Sequence, residues 1–109
     1  MTTEKLLRIL DDSRWDKTIP FEILKIKGYK FYRYMDSILL SPKSHFHVAT
    51  KYSSRGKGYA EELIKRVFNI TKYMMTTISC DNIESMERLL TRIGFEWDDY
   101  YKTWNLEKK

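Results

Sequence analysis

The chain has 109 residues, 42% hydrophobic and 32% charged, with a formal net charge of +5. That length fits one domain, 1–109, with a thin core, and that balance excludes a disordered chain. The lone cysteine, Cys80, excludes an intrachain disulfide, and no apolar run approaches the length of a membrane span.

Thr3 is placed to cap a short helix from Glu4 to about Leu10, with Leu6, Leu7 and Leu10 on one face. Asp11-Asp12-Ser13 ends it. Trp15 to Ile26 is ambiguous: Ile19 before Pro20 should be extended, and Phe21 to Ile26 reads either as a strand or as a helical turn. From Tyr29 the period becomes two. Phe31 to Met35 reads as a strand, Asp36-Ser37 as a turn, and Ile38 to Leu40 as a second strand. Ser41-Pro42-Lys43 turns the chain into a third strand, Ser44 to Lys51. Such short turns imply an antiparallel meander.

Beyond Gly56 and Gly58 the period becomes helical. Tyr59, Ala60, Leu63, Ile64, Val67 and Phe68 form one apolar stripe, with Glu61, Glu62, Lys65 and Arg66 on the other face. Met74 to Cys80 reads as a strand. Asp81 or Asn82 caps the next helix, and Asp81 with Glu84 forms a capping box. Ile83, Met86, Leu89, Leu90 and Ile93 make its stripe, and Gly94 ends it. Phe95 to Asn105 holds one or two aromatic-rich strands. The fold class expected is α/β, a meander leading into a β-α-β-α-β unit. The abundant aromatics, 15% of the chain, are expected to supply much of the core.

Net charge permits a polyanionic partner. The densest basic patch is Lys25, Lys27, Lys30 and Arg33, interleaved with Ile26, Tyr29, Phe31 and Tyr32. It reads as a nucleic-acid surface or as a half-buried strand with a polar face. Cys80 reads as a buried inert thiol, since no cation adjoins it in sequence. Met1 to Arg8 lacks the apolar region of a signal peptide, which points to the cytoplasm.

The junction at Arg55 carries the most chemistry. A strand ends near Thr50, a polar turn follows, then two glycines, then a helix. The first N–H groups of a helix have no internal partner, and the peptide dipoles place positive partial charge there. Gly56 and Gly58 let the backbone approach a phosphate closely, and Arg55 and Lys57 add charge. On the local pattern alone, an anion site and a plain strand-to-helix turn stand level.

Arg55-x-x-Gly58-x-Ala60, followed by Leu63, resembles motif A of the GNAT superfamily of N-acetyltransferases, which reads Gln/Arg-x-x-Gly-x-Gly/Ala. Ser79-Cys80-Asp81-Asn82-Ile83-Glu84-Ser85-Met86, ending Arg92-Ile93-Gly94-Phe95, resembles its motif B, where a strand runs into Asn-x-x-Ala/Ser, a helix and Gly-Phe. The resemblance covers roughly Ser44 to Phe95. It implies a GNAT-like mixed sheet in which the strand before motif A splays from the next parallel strand. It implies acetyl-CoA as cofactor, with the pantetheine arm paired to backbone groups of Val48, Ala49 and Thr50. The amides of Arg55, Gly56, Lys57, Gly58, Tyr59 and Ala60 would hold the pyrophosphate. Asn82, with Ser85 in the same motif, would contact pantetheine or the thioester. The implied activity is transfer of acetyl to a primary amine, of a small molecule or a protein, by direct attack.

The family often uses a Glu on the strand before motif A as base; this chain has His45 and His47 there, on one strand face. A histidine suits the role, and His47, nearer Val48, is the catalytic candidate; the alternative is a pair of surface or half-buried histidines. Where the family often has a Tyr as general acid, this chain has Leu89 or Leu90. Tyr100 or Tyr101 is the substitute, with aromatic packing the other role for both. No metal is expected. So short a chain suggests a homodimer completing the acceptor site. The compact family members that phages encode are similar, which would make a host or virion protein an acceptor in a bacterial or phage-infected cell. A CoA-binding module without catalysis and a small basic nucleic-acid-binding domain remain the alternatives.

Overall fold

The computed structural model describes residues 2–12, 28–41, 45–78 and 83–107. The expectations for Trp15 to Lys27, the Pro42 turn, and Ser79 to Asn82, including Cys80 and the capping box, lie outside them.

Among the described residues the chain forms helix α1 (Thr3–Asp12), strands β1 (Lys30–Tyr34), β2 (Ser37–Ser41) and β3 (His47–Thr50), and a 3-10 turn at Tyr52–Ser54. Helix α2 (Tyr59–Thr71), strand β4 (Tyr73–Thr76), helix α3 (Ile83–Ile93) and strands β5 (Glu96–Asp98) and β6 (Thr103–Glu107) complete it. The class is α/β, as expected, built on two small antiparallel sheets: β1-β2-β3, and β4-β6-β5. The first is the expected meander. In the second, the last strand inserts between the two that precede it.

The first sheet is buried on both faces. On one, Leu39 packs with Phe46, Leu63, Ile64 and Val67 under α2. On the other, Ile38 packs with Leu6, Leu7 and Leu10 of α1. The alternation of β2 explains this, because successive side chains point to opposite faces. The helical stripes are where the period places them, except that Ile83, at the start of α3, is 50% exposed. Thr2, rather than Thr3, caps α1, its hydroxyl accepting the Lys5 N–H at 3.1 Å. Gly94, at φ 119°, ends α3 with its N–H and that of Phe95 on the Leu90 carbonyl.

Two expectations need correction. The β1–β2 turn is Met35-Asp36, not Asp36-Ser37. Register pairs Tyr34 with Ser37, and Met35 takes φ 52°. Ser37 is then a fully buried strand residue whose hydroxyl shares a hydrogen bond of 2.5 Å with that of Thr50. The fully buried core is also mainly aliphatic. Among the described residues Phe46 and Phe95 are its buried aromatics, whereas Tyr100 and Tyr101 are 85% and 71% exposed. These two stack edge-on at 4.8 Å because Asp98 Oδ1 accepts both their N–H groups and holds them in a turn at the sheet's end.

Helices α2 and α3 are joined at the surface. Glu61 accepts from Arg92 Nε at 2.5 Å and from Lys65 Nζ at 3.3 Å. The Arg92 hydrogen bond, with Lys65 second among the favourable partners, holds the Glu61 carboxyl below its ordinary value despite partial desolvation. A lowered folded-state pKa stabilises above the unfolded carboxylate pKa and is lost as pH falls through the folded value. Replacing Arg92 by Ala is therefore expected to cost about 0.2–1 kcal/mol at neutral pH. Urea unfolding of the two proteins should show the gap closing as pH falls through the carboxylate range.

Candidate functional site

The two sheets meet at one place among the described residues. His45 forms a parallel bridge with Met75, and Phe46 donates its N–H to the Met75 carbonyl at 3.0 Å. In a parallel ladder the next β4 amide would return a bond to the Phe46 carbonyl. Here the Thr76 hydroxyl donates to that carbonyl, also at 3.0 Å. Among the described residues no such amide bond follows, and the ladder is one rung long. Thr76 itself is buried, so this bond is shielded from water.

Beyond that rung, among the described residues, β3 pairs with β2 alone and β4 with β6 alone. Backbone direction alternates along β3. Lys51 N–H bonds the Asp36 carbonyl toward β2, and Phe46 N–H bonds toward β4. Val48 and Thr50 share the parity of Phe46, so their backbone groups face the side of β4. Ala49, expected with them as a contact, turns its backbone toward its β2 partner Ile38. The Thr50 carbonyl accepts a long bond, 3.4 Å, from Arg55 Nε.

The chain leaves β3 at its carboxyl end and enters α2 through the glycine segment. Two bonds pin the approach: Ser54 Oγ donates to Asp36 Oδ2 at 2.6 Å, and Ser54 N–H to the Lys51 carbonyl at 2.9 Å. Ser54 is buried. Arg55, Gly56, Lys57 and Gly58 are then exposed. Gly58 is the N-cap of α2 at φ 79°, with no side-chain cap. The first helical bond is Glu62 N–H to the Gly58 carbonyl, 3.1 Å. The N–H groups of Tyr59, Ala60 and Glu61 thus lack an intrahelical acceptor. The carboxylates of this first turn are engaged elsewhere, Glu61 with Arg92 and Lys65, Glu62 with Arg66 at 3.0 Å. A Cβ at Gly56 or Gly58 would meet nothing within 4 Å, so space is open on both.

Of the remaining candidates, His47 is half-buried with its ring 6.0 Å from that of Tyr29. Its neighbour on the same face, His45, lines a cavity of ≈ 980 Å³ on the outer face of the second sheet. Ser85 is exposed in the first turn of α3. Asn82 lies outside the described residues. Leu89 packs against the core and Leu90 is fully buried in it. The rings of the basic β1 strand are packed too, Phe31 on the α1 side, Tyr32 and Tyr34 on the α2 side.

Asp36, Ser54 and Thr76 are the positions that pattern reading misses as site-shaping. They act through side-chain bonds to distant residues, for which local sequence carries no signal.

Two outcomes test this geometry. Gly58→Ala should lose about 1–2 kcal/mol through the backbone rather than a clash, and Gly58→Asn should recover much of it; urea denaturation decides. Thr76→Val should cost about 1 kcal/mol by leaving the Phe46 carbonyl without its donor. The same urea denaturation reads that loss.

Comparison with protein-family models, with curated proteins and with solved structures yields no match.

Proposed function

We propose that the chain is an N-acetyltransferase of the GNAT type, moving an acetyl group from acetyl-CoA to a primary amine. The observation that carries this reading is the one-rung parallel contact at His45–Met75, beyond which β3 and β4 share no pairing among the described residues. The uncapped start of α2 follows the carboxyl end of β3. In open α/β sheets, ligands bind outside the carboxyl ends of parallel strands.

Each residue has a physical task on this reading. The half-buried edge at Val48 and Thr50 would offer backbone donors and acceptors to an amide-bearing arm, as a further strand does. The amides from Gly56 to Ala60 point at a pyrophosphate, with Arg55 and Lys57 beside it. Pinning of Ser54 to Asp36 holds that loop in place before any ligand arrives, which lowers the ordering cost of binding. When bound, acetyl-CoA supplies an activated thioester carbonyl open to attack. A β3 backbone N–H polarises that oxygen. His45, lining the cavity at the point where the strands part, takes the proton from the incoming ammonium more directly than His47, whose ring lies beside Tyr29.

A second reading is a CoA-binding module without turnover. It is favoured by Leu89 and Leu90, packed in the core where a phenolic acid would stand, and by the exposure of Tyr100 and Tyr101.

Native mass spectrometry with acetyl-CoA, followed by thiol release across an amine and peptide panel, separates the readings. Binding with turnover is expected. Binding without turnover selects the module, and no adduct at millimolar cofactor sinks both. Replacing Arg55 and Lys57 together by Glu should weaken binding about tenfold or more, since each charge-assisted bond to phosphate is worth about 1.5–3 kcal/mol.

A further inference from the structure

Helix α2 begins with Gly58 as its N-cap, and no side chain caps it. Glycine has nothing to bend back onto the first amides, so one half of a capping pair is missing. The other half is present in the sequence. Glu61 stands three residues after Gly58, the place from which a carboxylate reaches back over the start of its own helix. The peptide dipoles favour a negative charge there as well. Left to itself, Glu61 is the natural occupant of the first turn.

Glu61 is turned elsewhere. Its Oε1 accepts from Arg92 Nε at 2.5 Å, and its Oε2 from Lys65 Nζ at 3.3 Å. Lys65 lies one turn further along α2. Arg92 belongs to the last turn of α3, 31 positions away in sequence. Glu62 is drawn along the helix in the same sense, to Arg66. Among the described residues no first-turn amide of α2 is bonded to either carboxylate. The Glu61 side chain is 23% exposed against 63% for Arg92, so the carboxylate is the more enclosed partner. A pair this near the surface adds little stability. What it decides is where one negative charge lies.

We propose that Arg92, with Lys65, keeps the start of α2 open by holding the Glu61 carboxylate off it, so that without these cations the helix caps itself. Arg92 is then a positioning residue, acting from another element. A carboxylate swung over the amides of Tyr59 to Glu61 would satisfy those donors and put a like charge where an anion would lie. That the open amides face a pyrophosphate rests on the acetyl-transfer reading; the holding of Glu61 does not.

The test is amide-resolved NMR on the full chain, first without ligand and then titrated with inorganic pyrophosphate at fixed ionic strength. In Arg92→Ala with Lys65→Ala, first-turn amides from Tyr59 to Glu61 should move downfield and exchange more slowly. Adding Glu61→Ala should undo both changes at Tyr59 and Ala60. Arg92→Lys alone, which keeps a cationic donor, should leave these amides near their positions in the unaltered chain. Removing the two cations should weaken pyrophosphate binding about two- to fivefold more when Glu61 is present than when it is replaced. Unchanged first-turn amides in the variant lacking both cations overturn the proposal. An equal loss of affinity with and without Glu61 overturns it too, since that is the mark of bulk charge. If the unaltered chain binds no pyrophosphate, the anion reading falls, and the ligand-free amide shifts still decide whether Arg92 holds Glu61.

Discussion

The hydrogen bond from Phe46 N–H to the Met75 carbonyl is the constraint on which the arrangement depends. It joins two sheets that share no other ladder among the described residues. Phe46 and Met74, flanking it, are both buried in the main core, so the bond is held by packing on its α2 side. A second rung would turn the molecule into one continuous sheet and seal the space between β3 and β4. The Thr76 hydroxyl lies within hydrogen-bond distance of the Phe46 carbonyl and of the Thr77 carbonyl. With one proton it donates to one of the two at a time, tying the end of β4 either to the rung or to its own backbone.

The glycine segment depends on the same rung at one remove. Its position follows from where β3 ends, and β3 is held by β2 on one edge and by the Phe46 bond on the other. Asp36 then reaches from the β1–β2 turn to Ser54, so the turn that begins the meander also fixes the loop that ends it. This explains how exposed glycines at 56 and 58, each with open space where a side chain would lie, sit at a fixed place in an otherwise small fold. Left-handed φ at both glycines supplies the bend, and the pinned Ser54 supplies its direction.

What the sequence discloses follows the range of the forces involved. Helices α1, α2 and α3 are legible because their apolar stripes recur at a period set by local geometry, and Gly94 is legible as a helix end for the same reason. The meander is legible because its turns are short. The order β4-β6-β5 is not, since pairing of β4 with β6 joins residues some thirty positions apart and no local preference encodes it. The Met35-Asp36 turn was displaced by one residue because Ser37 looks like a turn former; its burial depends on Thr50, thirteen positions away. Tyr100 and Tyr101 look like core residues by hydrophobicity, and Asp98 overrides that by binding their amides. At the site, the glycines and cations declare themselves, while Thr76, Asp36 and Ser54 act through distant partners and do not.

The charge distribution adds a step that composition conceals. A net charge of +5 suggests a basic surface throughout, yet Glu96, Asp98, Asp99 and Glu107 gather on the outer face of the second sheet, while Arg55 and Lys57 precede an α2 whose own first turn carries Glu61 and Glu62. Composition averages over all faces of the molecule, so a sum over the chain hides a local field of the opposite sign.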